Sequence, residues 1–325
     1  MLCSESHSGE VRSVDSWAMT ELIRSEIIDG VGHLTLCRPR AINALNLEML
    51  EAVYESLQSW LHKKTITAIE LRGEGERGFC AGADVRELRQ KLLDGGPWLQ
   101  FLELEYAVDM MLATSPAPVT AQMHGITMGG GLGLTGHAAR RIVGQSSTLA
   151  MPETKIGFFP DCAIMYQLSR AGAVGTHLAL TSRTFTGGDA LRLNIADDSR
   201  DGELPAPLFS PEAEWIEECY QGDDAVEIVR RLEEHEHPDA NAAAAEIRAH
   251  SPFAVHVALR ALRRATNLRL SEVFGQDLRL AERMIPIDFA EGVRALLVDK
   301  DNRPQWRWQR LEDVPESAVD EVFAY

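Results

Sequence analysis

An α/β fold with a helical C-terminal third is predicted for this 325-residue chain, on three observations. Short apolar runs suited to strands alternate with segments of helical period up to about residue 194. The charge-free run from His124 to Leu134 reads as a strand entering a glycine turn and then a helix. Beyond it, Ala242 to His250, Pro252 to Ala265, Ser271 to Met284 and Phe289 to Val298 all repeat their apolar residues at helical spacing.

Glu21 to Ile28 and Val31 to Cys37 flank Asp29-Gly30, a two-residue hairpin signal between apolar strands. Asn46 is placed to cap a helix running to about Lys64, with Leu47, Leu50, Val53, Tyr54, Leu57 and Leu61 on one face. Thr67 to Leu71 reads as a short buried strand, and Asp84 as the cap of a helix over Val85 to Leu93 that Gly95-Gly96-Pro97 ends. Pro118 to Met123 is expected as an edge or entry strand, because proline cannot donate to a ladder. Arg141 to Val143 and Thr148 to Met151 are further strands. The organisation expected is an extension over 1–20, an α/β core over 21–196, an acidic connection over 197–238 and a helical region over 239–325. The connection is read from fourteen acidic residues against three arginines between Asp197 and His237, a composition that favours a solvated segment carrying one or two weak helices.

A formal net charge of −17 repels a phosphate backbone, and no basic run with interleaved aromatics offsets it, so nucleic acid is excluded as a partner. An anionic ligand needs a local basic patch. Met110 to Ala139 is long enough to cross a bilayer, but its prolines, glycines and hydroxyl residues suit a buried strand, turn and helix instead. No membrane association is expected. The five cysteines are odd in number, widely spaced and without a C-x-x-C pair, which points to reduced thiols in a cytoplasmic protein rather than to disulfides or a thiolate metal site. The first twenty residues have neither the apolar core of a signal peptide nor the basic character of a transit peptide.

The glycine run bares several backbone N–H groups at a helix mouth, where an oxygen gaining negative charge can approach them closely. Gly78-Phe79-Cys80-Ala81-Gly82-Ala83-Asp84 is a second such turn, presenting the Ala83 amide ahead of a capped helix. Two turns of this kind suit an oxyanion hole, although each alone also reads as a plain helix start. Glu153 and Asp161, each following a proline, supply carboxylates for work on water or a carbonyl carbon, or else favour a helix dipole. Gly131-Leu132-Gly133-Leu134-Thr135-Gly136 fits the dinucleotide pattern G-x-G-x-x-G only weakly, since it lies far from a first βαβ unit. No Lys-Ser or Lys-Thr follows to make a P-loop. His235-Glu236-His237 sits in the acidic run as a solvated turn, so no metal site is expected.

Together these motifs resemble the crotonase (enoyl-CoA hydratase/isomerase) superfamily from about Glu21 to Trp306. The likeness is carried by the Arg38 to Asn46 segment, the Ala81 to Asp84 turn and the glycine run. Glu105-Tyr106, the block from Met151 to Asp161 and the stretch from Asp288 to Asp301 resemble its 3-hydroxyisobutyryl-CoA hydrolase branch. The resemblance implies a spiral core of repeated ββα units and an acyl-CoA substrate whose coenzyme A is part of the substrate, with no separate cofactor. It implies a thioester carbonyl oxygen held by the amides of Ala83 and Gly130, with the Ala81 carbonyl at the adenine end. Ala41, Asp84 and Gly129 would border the substrate, and Arg38, Arg40 and Lys300 would meet the CoA phosphates. Position 133 carries a catalytic Glu in the hydratases, and here it is Gly133, as in the hydrolases. Hydrolysis of a short β-hydroxyacyl-CoA is therefore expected, with Glu153 attacking the carbonyl or activating water and Asp161 holding the β-hydroxyl. Hydration or isomerisation of a short enoyl-CoA is the alternative reaction, and acyl-CoA binding without turnover the alternative outside catalysis. Cys162-Ala163-Ile164 replaces the Val-Gly-Gly usual after the Pro-Asp pair, so the loop shaping the acyl pocket should differ. Relatives suggest a homo-oligomer, a trimer or hexamer.

Overall fold

The computed structural model describes residues 15–16, 21–63, 66–209 and 214–324, so most of the expected N-terminal extension lies outside the described residues. A seven-stranded sheet runs in the order β1 (Asp15–Ser16), β2 (Ile23–Ile28), β3 (Val31–Leu36), β4 (Ala68–Gly73), β5 (Val119–Met123), β7 (Arg140–Val143) and β10 (Asp198–Ser199). Pairing is antiparallel from β1 to β3 and parallel thereafter. A second sheet joins β6 (Ile126–Met128) and β8 (Thr148–Ala150) in parallel, with β9 (Phe185–Thr186) antiparallel to β8. Asp29 and Gly30, at φ 51° and 78°, make the hairpin turn between β2 and β3, the left-handed pair that such a loop requires.

Pro118 directly precedes β5, which pairs with β4 on one side and β7 on the other. Of the two expectations, edge or entry strand, the edge is thus corrected, while β5 does lead through β6 into the glycine run. Pro118 costs no ladder donor because it lies outside the strand, and its carbonyl accepts from the Ile69 amide at 2.9 Å.

The helices of the core are α1 (Leu47–Lys63), α2 (Val85–Leu93), α3 (Trp98–Ala113), α4 (Gly130–Gly136), α5 (Met165–Leu168), α6 (Gly172–Thr181) and α7 (Gly187–Arg192). Asn46 Oδ1 accepts from Met49 N at the start of α1, and Asp84 Oδ1 from Glu87 N at the start of α2, the caps that the sequence indicates. α3 was not anticipated as a separate helix. It is apolar on several sides and buries Phe101, Leu102, Glu105, Tyr106, Val108, Asp109 and Leu112, as expected of a helix enclosed by its neighbours.

α8 (Glu214–Cys219), α9 (Ala225–Glu234), α10 (Pro238–Ala249), α11 (Pro252–Ala265) and α12 (Leu270–Met284) follow. The acidic segment carries two helices, α8 and α9, as a connection with one or two weak helices was expected to, but it is packed rather than wholly solvated. Its charges line the outer faces, while Phe209, Trp215, Tyr220, Ile228, Val229 and Leu232 are buried in the common core. The chain continues from α12 through π-helical turns Ile285–Phe289 and Arg294–Val298 on either side of α13 (Ala290–Val293), and α14 (Glu316–Phe323) closes the fold. Among the described residues no helix is long and apolar enough to cross a membrane. Cys37, Cys80, Cys162 and Cys219 are free thiols.

Candidate active site

Two turns meet at the floor of one cavity of about 670 Å³. The first follows Cys80, whose bridge to Thr127 sets it alongside β6, and Met128 N donates to Cys80 O at 3.0 Å. The second is the passage from β6 through Gly129 into α4. Gly129 has φ 50° and ψ −125°, a conformation closed to residues with a Cβ, and a Cβ there would stand 3.0 Å from Glu153 Oε1. The turns nearly touch, since a Cβ on Gly82 would lie 3.4 Å from Gly130 N. Gly130 opens α4, where an amide has no intrahelical acceptor. Ala83 belongs to no helix or strand, and its carbonyl, not its amide, is engaged, by Val85 N at 2.8 Å. Ala83 and Gly130, from separate loops, thus both line one cavity.

Glu153 begins a short 3-10 turn after Pro152, and Gly157 ends it in the left-handed region. The C-terminal segment clamps this turn. Gly292 lies so close to the Ile156 backbone that no side chain fits there, and a Cβ on Gly157 would sit 2.7 Å from Asp288 Cβ. Asp288 itself accepts from Ser251 Oγ at 2.7 Å and Arg307 N at 2.9 Å. Phe289, Leu296 and Leu297 from the same segment also line the cavity.

Asp161 accepts a 2.6 Å hydrogen bond from Tyr106 Oη. It lines the cavity with Glu105 and Glu153. The three are 5%, 1% and 7% exposed, and no lysine or arginine lines the cavity at this end. Burial, reinforced by the neighbouring carboxylates, raises Glu105 and Glu153 well above the ordinary range. Burial also pushes Asp161 up to about 6, with the Tyr106 hydrogen bond acting in the opposite direction. The cluster therefore shares few negative charges, and Asp161, with the hydroxyl donor, holds one most easily. Glu105, Asp161 and Cys162 also bring one donor atom each within 4.8 Å of one another.

At the other end the cavity opens between Arg38, Arg40, Arg77 and Arg86. Arg38 is committed to Asp84 at 2.8 Å, and Arg86 donates to Leu297 O at 2.9 Å. Arg40 and Arg77 are exposed there, a local basic mouth on an acidic protein that favours an anionic ligand.

Of the residues singled out by sequence, Glu153, Asp161, Ala83, Gly130, Arg38, Arg40, Ala41, Ala81, Asp84 and Gly129 all line this cavity. Gly133 and Lys300 do not. Gly133 lies one turn along α4 and faces α3, where a Cβ would stand 2.5 Å from Asp109 Oδ2 and 2.8 Å from Cys162 Cβ. Lys300 lies beyond the Arg294–Val298 turn, exposed and at φ 57°. Sequence reasoning gave no role to Glu105, Arg77 or Arg86. The signal for Glu105 was an acid inside an otherwise apolar helical face, repeated one turn later by Asp109.

A basic mouth leading to two glycine turns and a carboxyl cluster on this α/β core suits an acyl-CoA enzyme of the crotonase fold. The enoyl-CoA hydratase/isomerase family model matches residues 31–206 and 198–323, and the chain belongs to that family. It is similar to the mitochondrial 3-hydroxyisobutyryl-CoA hydrolases of Gallus gallus, at 33% identity over 90% of this chain and 86% of that protein, and Danio rerio, at 32% over 92% and 88%. Among solved structures it resembles a carnitinyl-CoA dehydratase from Mycobacterium thermoresistibile, with 36% identity, a TM-score of 0.89 and coverage of 94% of this chain and 97% of that one. An enoyl-CoA hydratase from Rhodobacter sphaeroides matches at 32% identity and a TM-score of 0.86, over 93% and 97%.

Proposed function

We propose that the protein hydrolyses a short β-hydroxyacyl-CoA thioester, of the size of 3-hydroxyisobutyryl-CoA, to the free acid and CoA. The observation that carries this reading is the closed space at Gly133. No second carboxylate enters from α4, because Asp109 and Cys162 fill the volume its side chain would cross. Hydration across a double bond in this family relies on two carboxylates around one water, and one of those positions is missing. The carboxyls that line the cavity away from its mouth are Glu153, Asp161, oriented by Tyr106, and Glu105 from α3, none of them from α4.

In this reading the thioester carbonyl oxygen sits between the amides of Ala83 and Gly130, each contributing about 3–4 kcal/mol to the oxyanion. Glu153 acts in its ionised form. Either it attacks the carbonyl carbon, CoA leaves as the C–S bond breaks and takes up a proton, and water hydrolyses the resulting mixed anhydride to the free acid, or it takes a proton from a water that attacks directly and passes that proton to the departing CoA sulfur. Asp161 accepts the substrate's β-hydroxyl and fixes the acyl group. Arg40 and Arg77 hold the CoA phosphates at the mouth. The likeness to 3-hydroxyisobutyryl-CoA hydrolases supports this choice, while a dehydratase and a hydratase among the similar structures keep hydration as the second reading.

The deciding experiment measures free thiol released from 3-hydroxyisobutyryl-CoA and 3-hydroxypropionyl-CoA, beside loss of the enoyl chromophore of crotonyl-CoA. Thiol release that falls about 10²–10⁴-fold in Glu153→Ala is expected. Chromophore loss without thiol release would instead establish hydration.

A further inference from the structure

We propose that Asp109, sealed beneath Gly133, is a positioning residue for Asp161 and acts through the Cys162–Ala163 turn; this rests on the hydrolase reading above.

Asp109 lies one helical turn beyond Glu105 on the same face of α3. It has no exposed surface, and the Cys162 side chain is the one hydrogen-bonding neighbour of its carboxyl, acting against the burial that raises its pKa. The cavity lining does not include it, so it does not touch substrate. Its neighbours are Gly133 of α4 and Cys162, the residue that follows Asp161. The point where a Gly133 Cβ would stand is 2.5 Å from Asp109 Oδ2, 2.8 Å from Cys162 Cβ and 3.0 Å from Cys162 Sγ. The Asp109 carboxyl and the Cys162 side chain thus share the one space that the bare glycine leaves.

Cys162 directly follows Asp161, and both it and Ala163 hold left-handed backbones, at φ 55° and 54°. Two successive residues with side chains in that region persist only when their surroundings over-determine them. Ile164 N closes the turn onto Asp161 O at 3.0 Å, and three further restraints hold it. Ala163 N donates to Asp277 Oδ2 at 2.8 Å. His137 Nε2 donates to Cys162 O at 3.0 Å, its tautomer fixed by Gln167 Nε2 donating to Nδ1 at 3.0 Å. The third restraint is the seat of the Cys162 side chain between Gly133 and Asp109. Removing that seat frees the turn to relax, and the Asp161 carboxyl moves with it.

Asp109 fills this role as a neutral acid. Burial, and next the charge of Asp161, hold its proton well above the ordinary carboxylate range. The other titratable groups that face it, Glu105, Cys80 and Cys162, are likewise held neutral by burial. An amide has the shape and neutrality of the protonated acid.

The test is kinetic and structural. Asp109→Asn should keep kcat within about threefold of the parent and leave the pH–rate profile in place, whereas Asp109→Ala should lower kcat about ten- to a hundredfold with KM little changed. In thermal unfolding, Gly133→Ala should cost much less in the Asp109→Ala background than in the parent, because the deleted carboxyl makes room for the added methyl. The infrared carbonyl band of a protonated carboxylic acid at neutral pH should weaken in Asp109→Asn. The proposal is overturned if Asp109→Asn falls as far as Asp109→Ala or displaces the profile, if Asp109→Ala retains the parent kcat, or if the unfolding cycle is additive. A parent enzyme that releases no CoA from β-hydroxyacyl thioesters defeats the hydrolase reading alone, and the unfolding cycle and the infrared band then decide the place of Asp109.

Discussion

Tyr106 Oη donates to Asp161 Oδ2 at 2.6 Å, and both groups are buried. A hydrogen bond to a charged acceptor favours its ionised form, and this one offsets part of the burial that lifts Asp161 to about 6. With the Asp161 anion required, activity falls as pH drops through about 6. Tyr106→Phe removes the donor, so the acid limb should move to higher pH and the rate at neutral pH should fall about tenfold. A pH–rate profile of both enzymes checks this, and an unmoved acid limb would show that another group sets it.

Gly130→Ala tests the floor of the site. A Cβ there overlaps Glu105 Oε1, so either the carboxyl or the start of α4 must shift. Loss of an oriented oxyanion donor lowers kcat about 10²–10³-fold. Circular dichroism should show the fold retained, and measurement of kcat beside KM separates lost catalysis from lost binding.

Arg40 and Arg77 line the mouth of a chain whose formal charge is −17. Replacing both by alanine should raise KM for an acyl-CoA several-fold with kcat little changed, because phosphate contacts remote from the thioester bind ground and transition states alike. The difference between the two enzymes should shrink in high salt. Equal KM values at low ionic strength would move the CoA phosphates elsewhere.

Glu105 gives a stability test with a defined sign. Its folded-state pKa lies well above 4.5 through burial, so the native state binds more protons than the unfolded chain once pH exceeds that value. Stability contributed by Glu105 is therefore full below about 4.5 and is lost as pH rises towards its folded value. Buried His137 and His250, both lowered to about 4, act oppositely between about 4 and 6.5 and are common to parent and variant. Glu105→Gln should flatten the fall in Tm as pH rises above about 4.5, measured by calorimetry, and an unchanged slope would assign that fall to other groups.

Much of the site was legible because its parts are local. The Asn46 and Asp84 caps, the Asp29-Gly30 turn and the glycine mouth of α4 each follow from a few adjacent residues. α3 was less legible, because a helix buried on several sides loses the polar stripe that marks its period. For the same reason Glu105 and Asp109 escaped assignment. The acidic segment misled for a different reason: its charges are numerous, yet the sparse apolar residues at helical spacing decide its packing.

The sequence by itself determined the fold class, the family motifs, Glu153 and Asp161 as the carboxylates of interest, and the absence of a side chain at position 133. Only the tertiary structure decided what that absence does. Gly133 does not border the cavity; it admits Asp109 and Cys162 into the space beneath α4. α3 and the turn after Asp161 are 55 residues apart where Tyr106 bonds Asp161, and no local pattern encodes such a contact. Close packing of helices against one another brings these groups together, and burial then sets which of them keep their protons.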